Sequence, residues 1–107
     1  MDIKDIINKI KNKEHLDDNE LKHIIKTYGI YTETGYETDY CYYMSTLCKL
    51  EDLYVVIYWD KNLNKNKKIK YYQPIIVTNI KTKYLHIITL EDNSSYAITV
   101  DDKLFNK

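Results

Sequence analysis

The chain has 107 residues, of which 44% are hydrophobic, and its 16 lysines balance its 16 aspartates and glutamates. Such a chain folds rather than staying disordered, so we predict a single domain over residues 1–107. Its apolar runs are too short to span a membrane, its N-terminus lacks a secretory signal, and two cysteines are too few for a disulfide framework. We therefore expect a cytoplasmic protein with reduced thiols and no membrane association.

Two amphipathic helices are predicted first. In residues 3–12, isoleucines recur at i, i+3, i+4 and i+7, and Asp2 can cap the first turn. A second helix should begin near Asp17, because Asp17 and Glu20 have the spacing of a capping box. Gly29 stands where a C-terminal glycine is expected. The short connection between the two patterns predicts a helical hairpin.

The rest of the chain is rich in β-branched and aromatic residues, which favours strands. Strands are predicted over 40–48, 53–59, 71–80, 84–90 and 96–100, after an irregular or edge segment at 30–39. Pro74 cannot donate to a ladder, so the third strand must start late, bulge or lie at an edge. Short connections favour antiparallel pairing. We predict an α+β fold, with the N-terminal helical hairpin packed on a four- to five-stranded, mainly antiparallel sheet.

One common core is expected between the helices and the sheet. We expect it to contain Ile6, Ile10, Leu21, Ile25, Val56 and Ile87. Charge, by contrast, is segregated along the chain: residues 29–60 carry one lysine against six acids, and residues 61–83 carry seven lysines and no acid. If these segments stay apart in the fold, the molecule has two oppositely charged surfaces.

The acidic segment is the first candidate site, because carboxylates alternate there with tyrosines. Tyrosine offers contact area at little entropic cost, and carboxylates can imitate a phosphate backbone or anchor a protein. An ordinary loop whose tyrosines cover the sheet edge would explain the pattern equally well. The candidate partner-binding residues are Tyr31, Glu33, Tyr36, Glu37, Asp39 and Tyr40.

The basic segment is the alternative site. Ammonium groups beside tyrosines are typical of single-stranded nucleic-acid binding, in which lysines neutralise phosphates and rings stack on bases. A solvated loop is the simpler explanation, and the lack of arginine removes bidentate reading of guanine. The candidate nucleic-acid-binding residues are Lys61, Lys65, Lys67, Lys68, Lys70, Tyr71 and Tyr72.

Catalytic and metal-binding patterns are weak. Cys48 and His86 could form a nucleophile and base, but His86 lies in an apolar run and Cys48 ends a predicted strand, which favours structural roles for both. Cys41 and Cys48 lack the spacing of zinc ligands. We predict no enzymatic activity, no catalytic residue, no metal and no cofactor.

Residues 43–77 carry a further pattern: a hydrophobic strand, an aromatic strand with a tryptophan, a polar loop with a leucine, then Gln-Pro and Val. It is formed by residues 50–63, followed by Tyr72, Gln73, Pro74 and Val77. It resembles small uncharacterised phage and prophage proteins of low-GC Gram-positive bacteria. The resemblance implies a mobile-element accessory protein, and small proteins of this kind often bind and block a host component.

Together these observations favour a non-enzymatic phage or mobile-element protein in the cytoplasm of a host bacterium. It would bind and inhibit a host protein or nucleoprotein, such as a CRISPR-type or other defence complex, and it could form a homodimer. The alternative is a nonspecific single-stranded nucleic-acid-binding protein that uses residues 61–70.

Overall fold

The structure is a computed structural model that describes residues 1–82, 85–99 and 102–105. Helix α1 spans Ile3–Lys11, and the Asp2 side chain accepts a hydrogen bond from the backbone of Lys4. Helix α2 spans Asp18–Tyr28 behind a complete capping box between Asp17 and Glu20. Both predicted helices and both N-caps are confirmed.

The remaining elements are strands and one short 3-10 helix. The strands are β1 (Gly29–Glu37), β2 (Cys41–Leu50), β3 (Leu53–Asn62), β4 (Lys68–Tyr71), β5 (Ile75–Lys81), β6 (His86–Leu90) and β7 (Ser95–Ile98), and the 3-10 helix is Asp102–Leu104. All strand pairs described are antiparallel, in the order β1-β2-β3-β5-β6-β7. The first half of β3 pairs with β5, and its second half pairs with β4 on the same side.

The sheet curls, so that β2 and β3 are covered on both faces. On one face the helix hairpin packs against Cys48, Leu50, Val55 and Ile57. On the other face a second core forms where Leu47 and Val56 meet residues of β6 and β7. Burial on both faces explains the continuous apolar run in β3, because a strand with one wet face would alternate.

The α+β class and the N-terminal placement of the helices are confirmed, but the predicted sheet of four to five strands is too small. Residues 30–37 belong to the edge strand β1, whose pairing with β2 is irregular at two places, as an edge or irregular segment at 30–39 predicts. The predicted strand 71–80 is two strands, because β4 ends at Tyr71 and β5 starts only after Pro74. Tyr84 and Val100, at the ends of two predicted strands, lie outside the described residues.

The single predicted core is also wrong in two of its members. Ile6, Ile10 and Leu21 are buried together, with Ile25 packed against them. Val56 is buried in the second core instead, and Ile87 is 41% exposed on the outer face of β6. The error has one cause: a second layer of strands, rather than solvent, covers the far face of β3.

Within the described residues, the two helices are too short and too polar for either of them to cross a membrane.

Candidate functional site

The acidic and basic segments meet at one end of the sheet. The turn between β1 and β2 lies beside the turn between β3 and β4, where the Leu63 backbone donates to the carbonyl of Tyr40 at 2.8 Å. The β2–β3 register places Tyr42 opposite Lys61 and Tyr43 opposite Asp60. The expectation of two separate, oppositely charged surfaces is therefore wrong, because hairpin pairing brings the two segments together. We call this end of the sheet the distal end.

Four tyrosines gather on one face of the distal end, and we call them the tyrosine cluster: Tyr36, Tyr43, Tyr58 and Tyr72. The rings of Tyr36 and Tyr43 are stacked, with centroids 5.3 Å apart and planes within 6° of each other. Tyr43 also contacts Tyr58 at 5.9 Å and Tyr72 at 6.2 Å. Tyr43 is thus the centre of an aromatic surface that runs from β1 to the segment after β4.

Charged groups border this surface at Tyr72. The Tyr72 hydroxyl donates to Asp60 Oδ2 at 3.3 Å, and Lys70 Nζ lies 4.9 Å from the centre of the Tyr72 ring. The Tyr72 side chain therefore contacts two charged groups: its hydroxyl binds a carboxylate, and the face of its ring lies near an ammonium group. Burial, and then Tyr72 and Asp60, raise the pKa of Tyr43 above its ordinary value of 10.0.

The cluster continues toward the second core. Burial raises the pKa of Tyr58, with a further contribution from Asp92 in the β6–β7 turn. Tyr96 of β7 is more deeply placed, and its pKa is raised by burial first, then by Tyr58 and Glu33. At the solvent side, Tyr36 is 54% exposed, and the neighbouring Cys41 thiol holds its pKa above the ordinary value. The tyrosines therefore extend from Tyr96, which packs against the second core, to Tyr36, which is exposed to solvent.

The residues of the predicted acidic site do not form one surface in the structure. Tyr36 joins the cluster, whereas Tyr31 packs against the second core. Glu37 accepts a hydrogen bond from the Tyr42 hydroxyl, which raises the pKa of Tyr42. Asp39 and Tyr40 lie in the exposed β1–β2 turn.

The predicted basic site is divided as well. The β3–β4 register places Lys68 and Lys70 on the face of the tyrosine cluster, since they pair with Asn62 and Asp60. Lys61 lies on the opposite face, as does Tyr71, which packs against the helices. The two remaining candidates, Lys65 and Lys67, are in the turn.

Side-chain and backbone hydrogen bonds shape the turn after β3. The Asn62 side chain accepts hydrogen bonds from the backbones of Asn64 and Lys65. Asn66 and Lys67 both adopt the left-handed conformation, with φ of 56°. Two consecutive left-handed residues are typical of a type I′ turn, and here they form the end of a five-residue loop in which the Lys68 backbone donates to the Lys65 carbonyl.

The sequence did not reveal two central members of the cluster, Tyr43 and Tyr58. Both lie in runs that read simply as strand, and their proximity depends on the β2–β3 register. Neither strand alternates tyrosine with smaller residues, so the sequence carries no signal of a shared face. Tyr96 was likewise assigned to a strand without a role.

The thiol and imidazole considered for catalysis lie on opposite sides of the central strands. Cys48 packs under the helices, and burial raises its pKa to about 12. His86 stacks against Phe105, with ring centres 4.2 Å apart, at the edge of the second core. A thiol with so high a pKa carries almost no thiolate at neutral pH. Among the described residues, side chains of His, Cys, Asp and Glu form no cluster that could hold a metal ion.

Comparison of the chain with protein-family models, with curated proteins and with solved structures gives no match.

Proposed function

We propose that this is a non-enzymatic accessory protein of a phage or mobile element that binds and inhibits a host protein through the tyrosine cluster. A CRISPR-type or other defence complex is the class of target that we propose. The resemblance over residues 43–77 supports this origin. The residues that carry the resemblance include Tyr58 and Tyr72, two of the four rings of the tyrosine cluster.

The observation that carries the proposal is the stacked, partly exposed set of aromatic rings on an otherwise polar face. Protein interfaces are enriched in tyrosine because its ring gives a large, rigid contact with few rotatable bonds. Here Tyr43 packs against three other rings, which fixes their orientations before a partner arrives. Such pre-ordering reduces the entropy lost on binding.

Charge at the distal end supports a protein partner over a nucleic acid. Lysines and carboxylates are intermixed there: Lys70 pairs with Asp60, and only Tyr42 separates Glu37 from Lys61 across the strands. The groove along β4, lined by Lys65, Lys68 and Lys70, also contains Asp18 and Asp60. A phosphate backbone would meet repulsion as well as attraction on this surface, whereas a protein with mixed charge can complement it.

Truncation of the cluster tests the proposal. We expect Tyr36→Ala and Tyr72→Ala, singly and together, to weaken binding of the partner by about 1 kcal/mol or more for each ring. Wild type and variants are immobilised and exposed to a nuclease-treated lysate of a low-GC Gram-positive bacterium. The retained protein is then purified and its affinity measured by calorimetry. Ile87→Ala, an exposed apolar change on the far face of β6, is the matched control.

The same variants distinguish the nucleic-acid alternative. If the ligand is single-stranded DNA, log affinity for oligothymidylate falls steeply with log salt, by about 0.7 for each phosphate contact. Changing Lys65, Lys67 and Lys68 together to Gln would flatten that slope by about two units. Binding at physiological salt that is lost in the lysine triple but kept in Tyr36→Ala would refute the proposal.

A further inference from the structure

The outer edge of β1 is the longest exposed strand edge in the part of the chain that the structure describes. β1 has nine residues, pairs on one side with β2 in a register interrupted by irregularities near Ile30 and Gly35, and ends the strand order on the other side. The other edges belong to β4 and β7, which have four residues each. Unpaired N–H and C=O groups along such an edge can pair with another extended chain.

The edge of β1 carries only negative charge. Glu33 and Glu37 are its ionised side chains, Asp39 follows in the turn, and no lysine occurs between Lys26 and Lys49. The edge of β4, in contrast, carries Lys68 and Lys70. A strand added to β1 would place its side chains directly beside these carboxylates, where opposite charges stabilise the pair and like charges destabilise it.

Self-pairing is disfavoured by the same charges. In an antiparallel pair of two β1 strands, the only ionised groups brought together across the new ladder are glutamates. A second copy of this chain is therefore a poorer occupant than a strand with basic side chains.

We infer that the protein partner docks an extended, lysine- or arginine-rich segment onto β1 as an additional strand of the sheet. The inference rests on the proposed function, because it names the part of the protein partner that makes contact. Tyr36 belongs both to β1 and to the tyrosine cluster, so an added strand would lie beside the exposed end of that cluster. Backbone pairing would supply affinity, and the carboxylates would select basic sequences.

The test uses a synthetic ten-residue peptide of alternating lysine and valine, with the intact protein. Two further peptides carry N-methyl groups on alternate amides, one on the even positions and one on the odd. In a strand added to an edge, only one alternate set of amides donates to the neighbour. We expect the parent peptide to bind, one methylated peptide to keep most of its affinity, and the other to lose about tenfold or more.

Charge variants complete the test. Glu33→Gln with Glu37→Gln should weaken binding of the lysine–valine peptide about twofold, because Glu33 and Glu37 lie on opposite faces of β1 and the lysines, all on one face of the peptide, can pair with only one of them. Asp5→Asn with Glu14→Gln, two exposed changes on the helical hairpin, is the matched control and should leave affinity unchanged. Amide exchange measured by NMR should slow at alternate residues of β1.

Several results would overturn the inference. These are failure of the parent peptide to bind, equal affinity of the two methylated peptides, and equal effects of the two charge-variant pairs. If the protein alone formed a dimer in which the same β1 amides were protected, the strand that pairs with β1 would be a second copy of this chain and not a basic segment of the partner. Tyr72→Ala separates this inference from the proposed function, because Tyr72 lies across the cluster from β1. If Tyr72→Ala abolishes binding of the protein partner, and the lysine–valine peptide does not bind wild type, then the tyrosine cluster binds the partner without an added strand.

Discussion

At the scale of single residues, Gln73 joins the two halves of the chain through its side-chain amide. Its Oε1 accepts a hydrogen bond from the backbone N–H of Leu16 at 2.8 Å, and its Nε2 donates to the Leu16 carbonyl at 3.0 Å. Leu16 lies between the helices and is 1% exposed. Gln73 therefore satisfies both backbone polar groups of a buried residue, which gives the glutamine of the Gln-Pro pair a physical role.

Gln73→Ala should destabilise the fold by about 1–3 kcal/mol, because it leaves the Leu16 N–H and C=O without their partners. Urea unfolding followed by circular dichroism measures the loss. Asn79→Ala, an exposed amide change on β5, is the control and should alter stability far less. Equal midpoints for the two variants would show that the Gln73–Leu16 pair contributes nothing to stability.

The raised pKa values of the tyrosines predict an alkaline limit to stability. Burial, with Tyr58 and Glu33, raises the pKa of Tyr96 above its ordinary value of 10.0. In the pH range above 10 the unfolded state releases this proton and the folded state keeps it, so the free energy of unfolding falls as pH rises. Below pH 10 the contribution is fully present.

Tyr96→Phe removes this ionisation and should make the loss of stability above pH 10 less steep than in wild type. The measurement is the urea midpoint as a function of pH. The variant also lacks the hydroxyl group at neutral pH, so the slope with pH, and not the midpoint at one pH, is the quantity compared. Identical slopes for the two proteins would show that Tyr96 does not contribute to alkaline unfolding.

At the scale of elements, the helices could be predicted because their signals are local. The isoleucine period of α1 and the Asp17–Glu20 capping box of α2 depend only on residues within one or two turns. Both signals correspond to observed contacts. The tyrosine cluster depends instead on register between strands, which no local pattern defines, so Tyr36 and Tyr72 were found without Tyr43 between them.

Gly29 marks the C-terminal end of α2 where the sequence predicts it, but the reason for a glycine differs from the predicted one. It ends α2 as predicted, but its φ of −67° and ψ of 131° are extended, so it is not a left-handed C-terminal glycine. A Cβ atom at this position would lie 2.4 Å from the Ile25 carbonyl oxygen and 3.1 Å from Thr46 Cγ2. Glycine is needed because the helix passes directly into β1 against β2, with no room for a side chain.

Gly29→Ala should therefore cost about 1–3 kcal/mol through overpacking, although any residue could adopt its backbone angles. Gly35→Ala is the matched control in the same strand, since its Cβ would meet Tyr43 at the less severe distance of 3.3 Å. Thermal or urea unfolding of both variants gives the comparison. If Gly35→Ala proved the more damaging change, the close approach of α2 to β1 would not be the reason for Gly29.

At the scale of the whole molecule, the central strands connect two cores. Successive residues of β3 point to opposite faces, so Val55 packs with the helices and Val56 with the curled end of the sheet. Sequence analysis could not separate these cores, because a fully buried strand has no alternation to read. The distal halves of β2 and β3 extend past both cores, and this extension leaves the tyrosine cluster accessible to a partner.

Hydrogen exchange should reflect this architecture. The amides of Leu47, Val55, Val56 and Ile57 lie in strands with neighbours on both sides and a core on each face, and these residues are fully buried. We expect them to exchange most slowly, with protection that approaches the global free energy of unfolding. The outer amides of β1 and those of the β3–β4 turn should exchange fastest. Slowest exchange in α1, with β3 exchanging early, would mean that the helical hairpin rather than the central strands is the most stable unit, and that the two cores unfold separately.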